Sequence, residues 1–134
     1  MSVLRKTLRG VITSRAANGQ PMSVELVWER QHPLIVHATF SQPGRPSWVI
    51  GRDLIADGLR KKSGEGFVTI APGPVGSGLL LAVRGAGTSL TVFFPGGVID
   101  VGNFLTATYR EVPRHHDIAA DLDQELAKIF TDTA

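Results

Sequence analysis

The hydrophobic period changes in the middle of residues 33–62, and this change limits the fold more than any other feature of the sequence. Residues 35–40 and 47–50 are rich in β-branched and aromatic side chains, and the prolines between them predict a turn. After Gly51, Asp53 is placed to cap a short helix, which has its apolar positions on one side: Leu54, Ile55, Gly58 and Leu59. Two strands and one short helix cannot bury a core by themselves, so this unit must pack against the flanking segments.

The flanking segments predict more strands. Residues 3–13 are interpreted as a long half-buried strand, although the spacing of the leucines there also suits a helix. Three further strands are predicted at residues 65–71, 79–84 and 89–94, separated by glycine-rich turns. Strict alternation over residues 22–28 indicates another strand, whose apolar face holds Met22, Val24, Leu26 and Trp28.

Spacings of three and four residues predict two more helices. The first carries an apolar stripe formed by Val98, Val101, Leu105, Thr108 and Val112. The second follows Pro113, has an acidic first half, and carries a stripe formed by Ile118, Leu122, Leu126 and Ile129. Runs of strands separated by single helices are typical of an α+β fold with largely antiparallel sheets. We expect one domain over residues 1–134.

Composition excludes several classes of protein. The chain has no cysteine, which excludes disulfides and thiolate zinc sites. No apolar run is long enough to span a bilayer, and the first residues do not resemble an export signal, so we expect a cytoplasmic location. The charge is uneven, because residues 1–62 hold ten Lys/Arg and four Asp/Glu, whereas residues 63–134 hold four and eight. Such asymmetry can direct a protein toward a charged partner.

No motif supports catalysis. The loop at residues 73–78 is glycine-rich, but it lacks both the nucleophile elbow and the Gly-Lys-Ser/Thr of a phosphate loop. The histidines at 32, 37, 115 and 116 do not show metal-ligand spacing. Asp53 and Asp57 are explained as a cap and a solvated helix position. We therefore expect a protein that is not an enzyme and that has no cofactor and no metal.

Single-stranded nucleic-acid binding is the alternative hypothesis. Aromatic side chains in a sheet next to cations could stack bases and hold phosphates. The aromatic candidates are Trp28, Phe40 and Trp48, and the cationic ones are Arg5, Lys6, Arg9, Arg52, Arg60, Lys61 and Lys62. Against this hypothesis, the tryptophans fit core positions equally well and the net charge is only +2.

A strand motif and a helix motif together resemble a known family. The residues that carry this resemblance are Val36, His37, Ala38, Thr39, Phe40, Trp48, Arg52, Asp53, Leu54, Gly58 and Leu59, with Gly64 and Gly66 after them. In this combination and spacing the chain is similar to the SsgA-like sporulation and cell-division regulators of actinomycetes.

The resemblance implies a Whirly-like fold of two antiparallel β-sheets packed with helices, in the order ββββα followed by βββαα. It also implies a homotrimer without catalytic activity that works at the division septum. The implied partners are FtsZ, which the protein would help recruit, and other SsgA-like or divisome proteins. Nucleic acid is not expected as a partner. The resemblance does not identify the binding surface, and our sequence-based prediction for it is Arg60, Lys61 and Lys62, which follow the short helix.

Overall fold

The computed structural model describes residues 2–14, 18–42, 46–64, 66–85 and 88–114. It is a mixed α+β structure, as predicted. The helices are α1 (Arg52–Gly58) and α2 (Gly97–Glu111). The strands are β1 (Val3–Ile12), β2 (Pro21–Glu29), β3 (Ile35–Phe40), β4 (Ser47–Gly51), β5 (Val68–Pro72), β6 (Leu79–Gly85) and β7 (Thr88–Phe94).

The described strands form one antiparallel sheet in the order β4-β3-β2-β1-β7-β6-β5, so the prediction of two sheets is wrong. The reason is the length of β1, which pairs with β2 along most of its length and with β7 only at Val11 and Ile12. The two halves of the sheet are therefore joined over a short stretch. A glycine is needed there, because a Cβ atom on Gly10 would lie 2.3 Å from the carbonyl oxygen of Phe93.

Alternating side chains of the sheet enter a core that both helices cover. The alternation predicted for β2 is confirmed, since Met22, Val24, Leu26 and Trp28 are all buried. Ile55 of α1 and Val101, Phe104 and Leu105 of α2 complete the same apolar cluster. The other face of the sheet carries the more polar set of residues, which follows from the two-residue period of a strand.

Helix α1 differs from the prediction at both ends. It begins at Arg52, with Gly51 at the cap position and no side-chain capping bond, so the prediction that Asp53 caps this helix is wrong. The carboxylate of Asp53 instead accepts a hydrogen bond from Tyr109. The helix ends at Gly58, so Arg60, Lys61 and Lys62 follow it as a turn and do not form its last turn.

The second half of the chain keeps the predicted order of elements with shifted boundaries. Strand β5 begins at Val68, three residues after the predicted start, and Phe67 before it is 67% exposed. Helix α2 buries Val101, Leu105 and Thr108, as its spacing predicted. The helix predicted after Pro113 lies outside the described residues. Within the described part of the chain, no helix has the length and apolar character needed to cross a membrane.

Candidate functional site

The most unusual described side chain is Arg52, the first residue of α1, which is completely buried. Its guanidinium donates hydrogen bonds to the carbonyl oxygens of Val112 at 2.9 Å and Pro113 at 2.8 Å, with a longer bond to Thr108 at 3.4 Å. These carbonyls belong to the last turn of α2 and the residues after it, where a helix leaves its acceptors unpaired and favours a positive charge. Arg52 therefore caps α2 from another helix.

Two aromatic rings complete the surroundings of this guanidinium. Its central carbon lies 4.2 Å from the ring centroid of Tyr109 and 5.8 Å from that of Trp28, within the range of cation–π attraction. Burial lowers the pKa of Arg52 from its ordinary value, although an arginine remains charged there. The Nε atom of Arg52 has no hydrogen-bond partner among the described residues.

Tyr109 connects the same two helices a second time. Its hydroxyl donates a hydrogen bond of 2.6 Å to the Oδ1 atom of Asp53. Burial, together with this hydrogen bond, raises the pKa of the Tyr109 phenol well above its ordinary value. The phenol therefore remains protonated at all physiological pH values and can keep donating to the carboxylate.

A third contact lies at the point where the chain leaves α2. Arg114 forms an ion pair with Asp57 of α1, and this hydrogen bond raises the pKa of Arg114. We call the five residues Arg52, Asp53, Asp57, Tyr109 and Arg114 the helix junction. Its contacts hold both ends of α1 against the C-terminal end of α2 and the residues after it, so they fix where residues 112–114 run.

The structure brings the signature residues together around one corner of the sheet. Three residues of the β3 motif, Val36, Ala38 and Phe40, are fully buried, whereas His37 and Thr39 point to the opposite face. Trp48 packs against Phe40 with ring centroids 5.3 Å apart. The remaining signature residues lie in or just after α1: Arg52, Asp53, Leu54, Gly58 and Leu59.

Gly58 explains why a glycine belongs in this signature. A Cβ atom at this position would lie 2.5 Å from the Cγ2 atom of Ile70 and 2.7 Å from its Cβ atom. Helix α1 therefore lies directly against β5 at this point, closer than any other residue type would allow. This contact links the first half of the chain to the second.

The predicted partner-binding residues Arg60, Lys61 and Lys62 lie next to the helix junction, and we call these three residues the basic strip. All three are exposed, and none of the ion pairs within the described ranges involves them. The backbone N–H groups of Arg60 and Lys61 both donate to the carbonyl oxygen of Asp57, at 3.1 and 3.2 Å. The strip therefore starts beside the residue whose side chain binds Arg114.

The three aromatic candidates for nucleic-acid binding lie in the core or pack against it. Trp28 and Phe40 are fully buried, and Trp48 packs against Phe40, which disfavours the alternative hypothesis of nucleic-acid binding. Among the cations, Arg52 is buried in the junction and Arg5 forms an ion pair with Glu25 at 3.4 Å. Trp28 and Phe40 are buried because the apolar face of β2 and β3 is the covered face.

The other candidate positions within the described residues do not converge on one centre. The described residues contain no group of three or more His, Asp or Glu arranged to hold a metal ion, and His115 and His116 lie outside them. The glycine-rich loop at residues 73–78 borders an open apolar pocket of about 370 Å³. Thr13, Val75, Leu80 and Phe93 line this pocket, which is on the face of the sheet away from the helices.

Sequence reasoning missed Tyr109 and Arg114 as members of the junction, and Pro113 as a carbonyl acceptor of Arg52. One signal was present: Arg52 precedes Ile55 and Gly58 at spacings of three, which places a cation on the buried stripe of a short helix. A charged residue on such a stripe must find polar partners inside the protein. Nothing in the pattern indicated which distant carbonyl groups those partners would be.

A family model and two relatives match this chain. Residues 22–117 match the model of the family described as "Streptomyces sporulation and cell division protein, SsgA". The chain is 31% identical over 113 residues to the sporulation-specific cell division protein SsgB of Saccharopolyspora erythraea, covering 82% of this chain and 79% of that protein. It is also 31% identical over 135 residues to SsgB of Streptomyces coelicolor, covering 94% and 93%.

Two solved structures have a similar fold. The first comes from work on SsgB mutations that correlate with longitudinal cell division during sporulation of Streptomyces coelicolor. It has a TM-score of 0.75 and 25% sequence identity, and the match covers 85% of this chain and 90% of the solved one. The other, an SsgA-like sporulation-specific cell division protein from Thermobifida fusca, has a TM-score of 0.73 and 20% identity, and covers 95% of each chain. The family match spans the strand motif, α1 and α2, which together build the helix junction. This chain belongs to the SsgA family of sporulation and cell division proteins.

Proposed function

We propose that this protein acts in sporulation-specific cell division as a non-catalytic module that recruits or positions FtsZ and the septation machinery. The observation that carries the proposal is the similarity to two proteins named sporulation-specific cell division protein SsgB, over most of both chains. The proposed place of action is the cytoplasmic side of the division septum. FtsZ recruitment is the family activity implied by the resemblance of the β3 and α1 motifs.

The distribution of charge supports a role in binding another protein. The basic strip is exposed, and its backbone is hydrogen-bonded to Asp57 of the helix junction; a docking site benefits from such anchoring because less conformational entropy is lost on binding. Clustered cations steer acidic partners and increase the rate of association. We propose the strip, Arg60, Lys61 and Lys62, as part of the surface that contacts the division machinery.

A Whirly-like homotrimer is the proposed assembly. Among the described residues both helices pack on one face of the seven-stranded sheet, and Val11, Val49 and Val75 are exposed hydrophobic residues. Apolar surface of this kind is more stable when it is covered by another molecule. Light scattering at micromolar concentration is expected to give three times the monomer mass, and a monomer mass would reject the trimer.

Co-sedimentation with polymerised FtsZ tests the main proposal. The wild-type protein is expected in the pellet only when GTP-dependent polymers are present. The variant in which Lys61 and Lys62 are both changed to Glu is expected to show weaker pelleting. Arg84→Glu is the matched control, because Arg84 is also exposed but lies on β6 in the other half of the sheet.

The two parts of the proposal fail in different ways. If folded wild-type trimer does not pellet with FtsZ, recruitment by direct contact is wrong. If the wild type pellets and the Lys61 and Lys62 variant pellets equally well, FtsZ binding stands and the basic strip is not its contact surface.

A further inference from the structure

Strand β4 lies at one edge of the sheet and pairs with β3 on one side. The backbone N–H of Phe40 donates to the carbonyl oxygen of Pro46 at 2.9 Å, just before β4 begins. In an antiparallel pair, opposed residues that exchange hydrogen bonds alternate with opposed residues that do not. The register of β3 and β4 therefore assigns the backbone groups of Trp48 and Ile50 to bonds with β3.

The intervening residues of β4, Ser47 and Val49, direct their N–H and C=O groups away from β3. The bond of 2.9 Å from the N–H of Arg52 to the carbonyl oxygen of Leu34 follows the same alternation beyond the other end of the strand. Among the described residues, no hydrogen bond outside the strand ladders uses the backbone groups of Ser47 or Val49. Both residues are exposed, Val49 by 57%.

The opposite edge of the sheet, β5, is closed in its middle. The N–H of Ser63 donates to the carbonyl oxygen of Ile70 at 2.8 Å, and the N–H of Ile70 donates back to Ser63 at 2.9 Å. Pro72, the last residue of β5, has no N–H to offer. Proteins commonly protect sheet edges by covering them or by placing proline or charged residues in them. Strand β4 reads SWVIG and contains neither proline nor a charged residue, so it is the edge that can accept another strand.

The side chains beside this edge indicate which kind of strand fits. On one face, Val27, His37 and Val49 are register partners in a row across three strands. On the other face, Trp48 is half-buried and packs against Phe40. Neighbours of these types favour β-branched or aromatic residues on the adjoining strand. Because β4 has no ionisable side chain, its partner needs no complementary charge, in contrast to a partner of the basic strip.

We propose that the free edge of β4 binds an extended segment of another protein, which adds one strand to the sheet. Backbone pairing with Ser47 and Val49 supplies affinity, and alternate β-branched or aromatic side chains of the segment supply specificity. A second copy of this chain does not fit. Two β4 edges would pair about a twofold axis, which the proposed threefold assembly lacks, and the β5 edge is closed. This surface is separate from the basic strip, so the inference goes beyond the proposed FtsZ contact and does not depend on it.

Amide hydrogen exchange of the full-length protein tests whether the edge is free. The N–H of Val49 is expected to exchange at least roughly a hundredfold faster than that of Ile50, because only Ile50 donates to β3. If the two amides are equally protected in the protein alone, the edge is already covered and the proposal is wrong.

Peptides selected from a displayed library of random short sequences are the probe for binding. Val49→Pro removes the outward N–H without removing a bond to β3, so it should weaken the binding of a selected peptide by about tenfold or more in fluorescence polarisation. Val49→Thr is the matched control, because threonine keeps both the N–H and the β-branched shape, and its affinity should stay within about twofold of wild type.

Methylation of the peptide gives a readout that does not depend on the folding of a variant. In an extended peptide, alternate amides face opposite edges. Methylating one alternate set of amides is therefore expected to abolish binding, whereas methylating the other set should leave it unchanged.

Three binding results would overturn the proposal. In the first, the library yields no peptide whose binding is weakened by Val49→Pro. In the second, both methylated peptides bind as well as the parent peptide. In the third, light scattering shows that Val49→Pro breaks up the assembly, because the edge then joins two copies of the chain. A failure of FtsZ pelleting would leave the exchange and peptide readouts unaffected, so the two proposals can be distinguished.

Discussion

Replacing Arg52 by Met removes the cation of the helix junction while retaining most of the volume of the side chain. Two short hydrogen bonds from the guanidinium, at 2.8 and 2.9 Å, would be lost together with its contact to the Tyr109 ring. A hydrogen bond to a charged group contributes about 1.5–3 kcal/mol, and a cation–π contact about 0.5–2 kcal/mol. Without opposing effects, losing these interactions would lower the free energy of unfolding substantially.

Opposing terms reduce this loss. Burying a charge away from water costs on the order of several kcal/mol, and methionine avoids this cost. The carbonyl oxygens left behind belong to Val112, which is half-buried, and Pro113, which is exposed, so water can reach them in part. We therefore expect Arg52→Met to lower the free energy of unfolding by about 2–3 kcal/mol, toward the lower end of what breaking a buried charge network costs.

Urea unfolding followed by tryptophan fluorescence measures this change, because Trp28 is buried and lies beside the guanidinium. The midpoint should fall without a change in the slope of free energy against urea concentration. Arg60→Met is the matched control, since Arg60 is exposed, and it should change stability by no more than about 0.5 kcal/mol. If Arg52→Met is as stable as the control, the guanidinium does not stabilise the junction and our reasoning is refuted.

Arg52→Lys separates charge from shape. Lysine keeps the positive charge, but a single ammonium cannot present a planar pair of donors to both carbonyl groups while lying over the ring of Tyr109. We expect a stability between those of the wild type and Arg52→Met. A fully stable Arg52→Lys variant would show that charge alone is enough.

Two other features of the fold give further predictions. Gly58→Ala should lower the free energy of unfolding by about 1–3 kcal/mol, because its methyl group would lie 2.5 Å from Ile70. Gly102→Ala should raise it by about 0.5–1 kcal/mol, because its methyl group would find only an ordinary contact at 3.8 Å. Urea unfolding measures both changes, and two changes of the same sign would contradict the packing argument. The folded state holds the Tyr109 proton more tightly than the unfolded state, so stability from this group is complete below about pH 10 and decreases as the pH rises further. Thermal melts from pH 9 upward should therefore show a steeper alkaline loss for the wild type than for Tyr109→Phe, and equal slopes would exclude the phenol as the cause.

Local pattern was sufficient for most elements of the fold. Residues 22–28 have a clear two-residue period because alternate side chains of a strand face one core, and the stripe through Val101 and Leu105 repeats as a helix requires. These are properties of neighbouring residues, so they can be read without knowing the rest of the chain. The family signature was equally local, since it lies within one strand, one turn and one short helix.

The predictions that were wrong concern contacts between distant residues. Asp53 has the right residue type and position for a cap, but a tyrosine 56 residues later supplies its partner. The single sheet likewise depends on two residue pairs between β1 and β7, which no local pattern reveals.

From the order of its residues alone, this chain is recognisable as an α+β protein of the SsgA family, because strand alternation, helix stripes and signature spacing all act over a few residues. Only the folded structure could place the guanidinium of Arg52 against the end of α2 and leave Arg60, Lys61 and Lys62 exposed beside Asp57. The physical reason is that a buried charge is stable only where specific acceptors surround it, and those acceptors are brought there by the packing of the whole core.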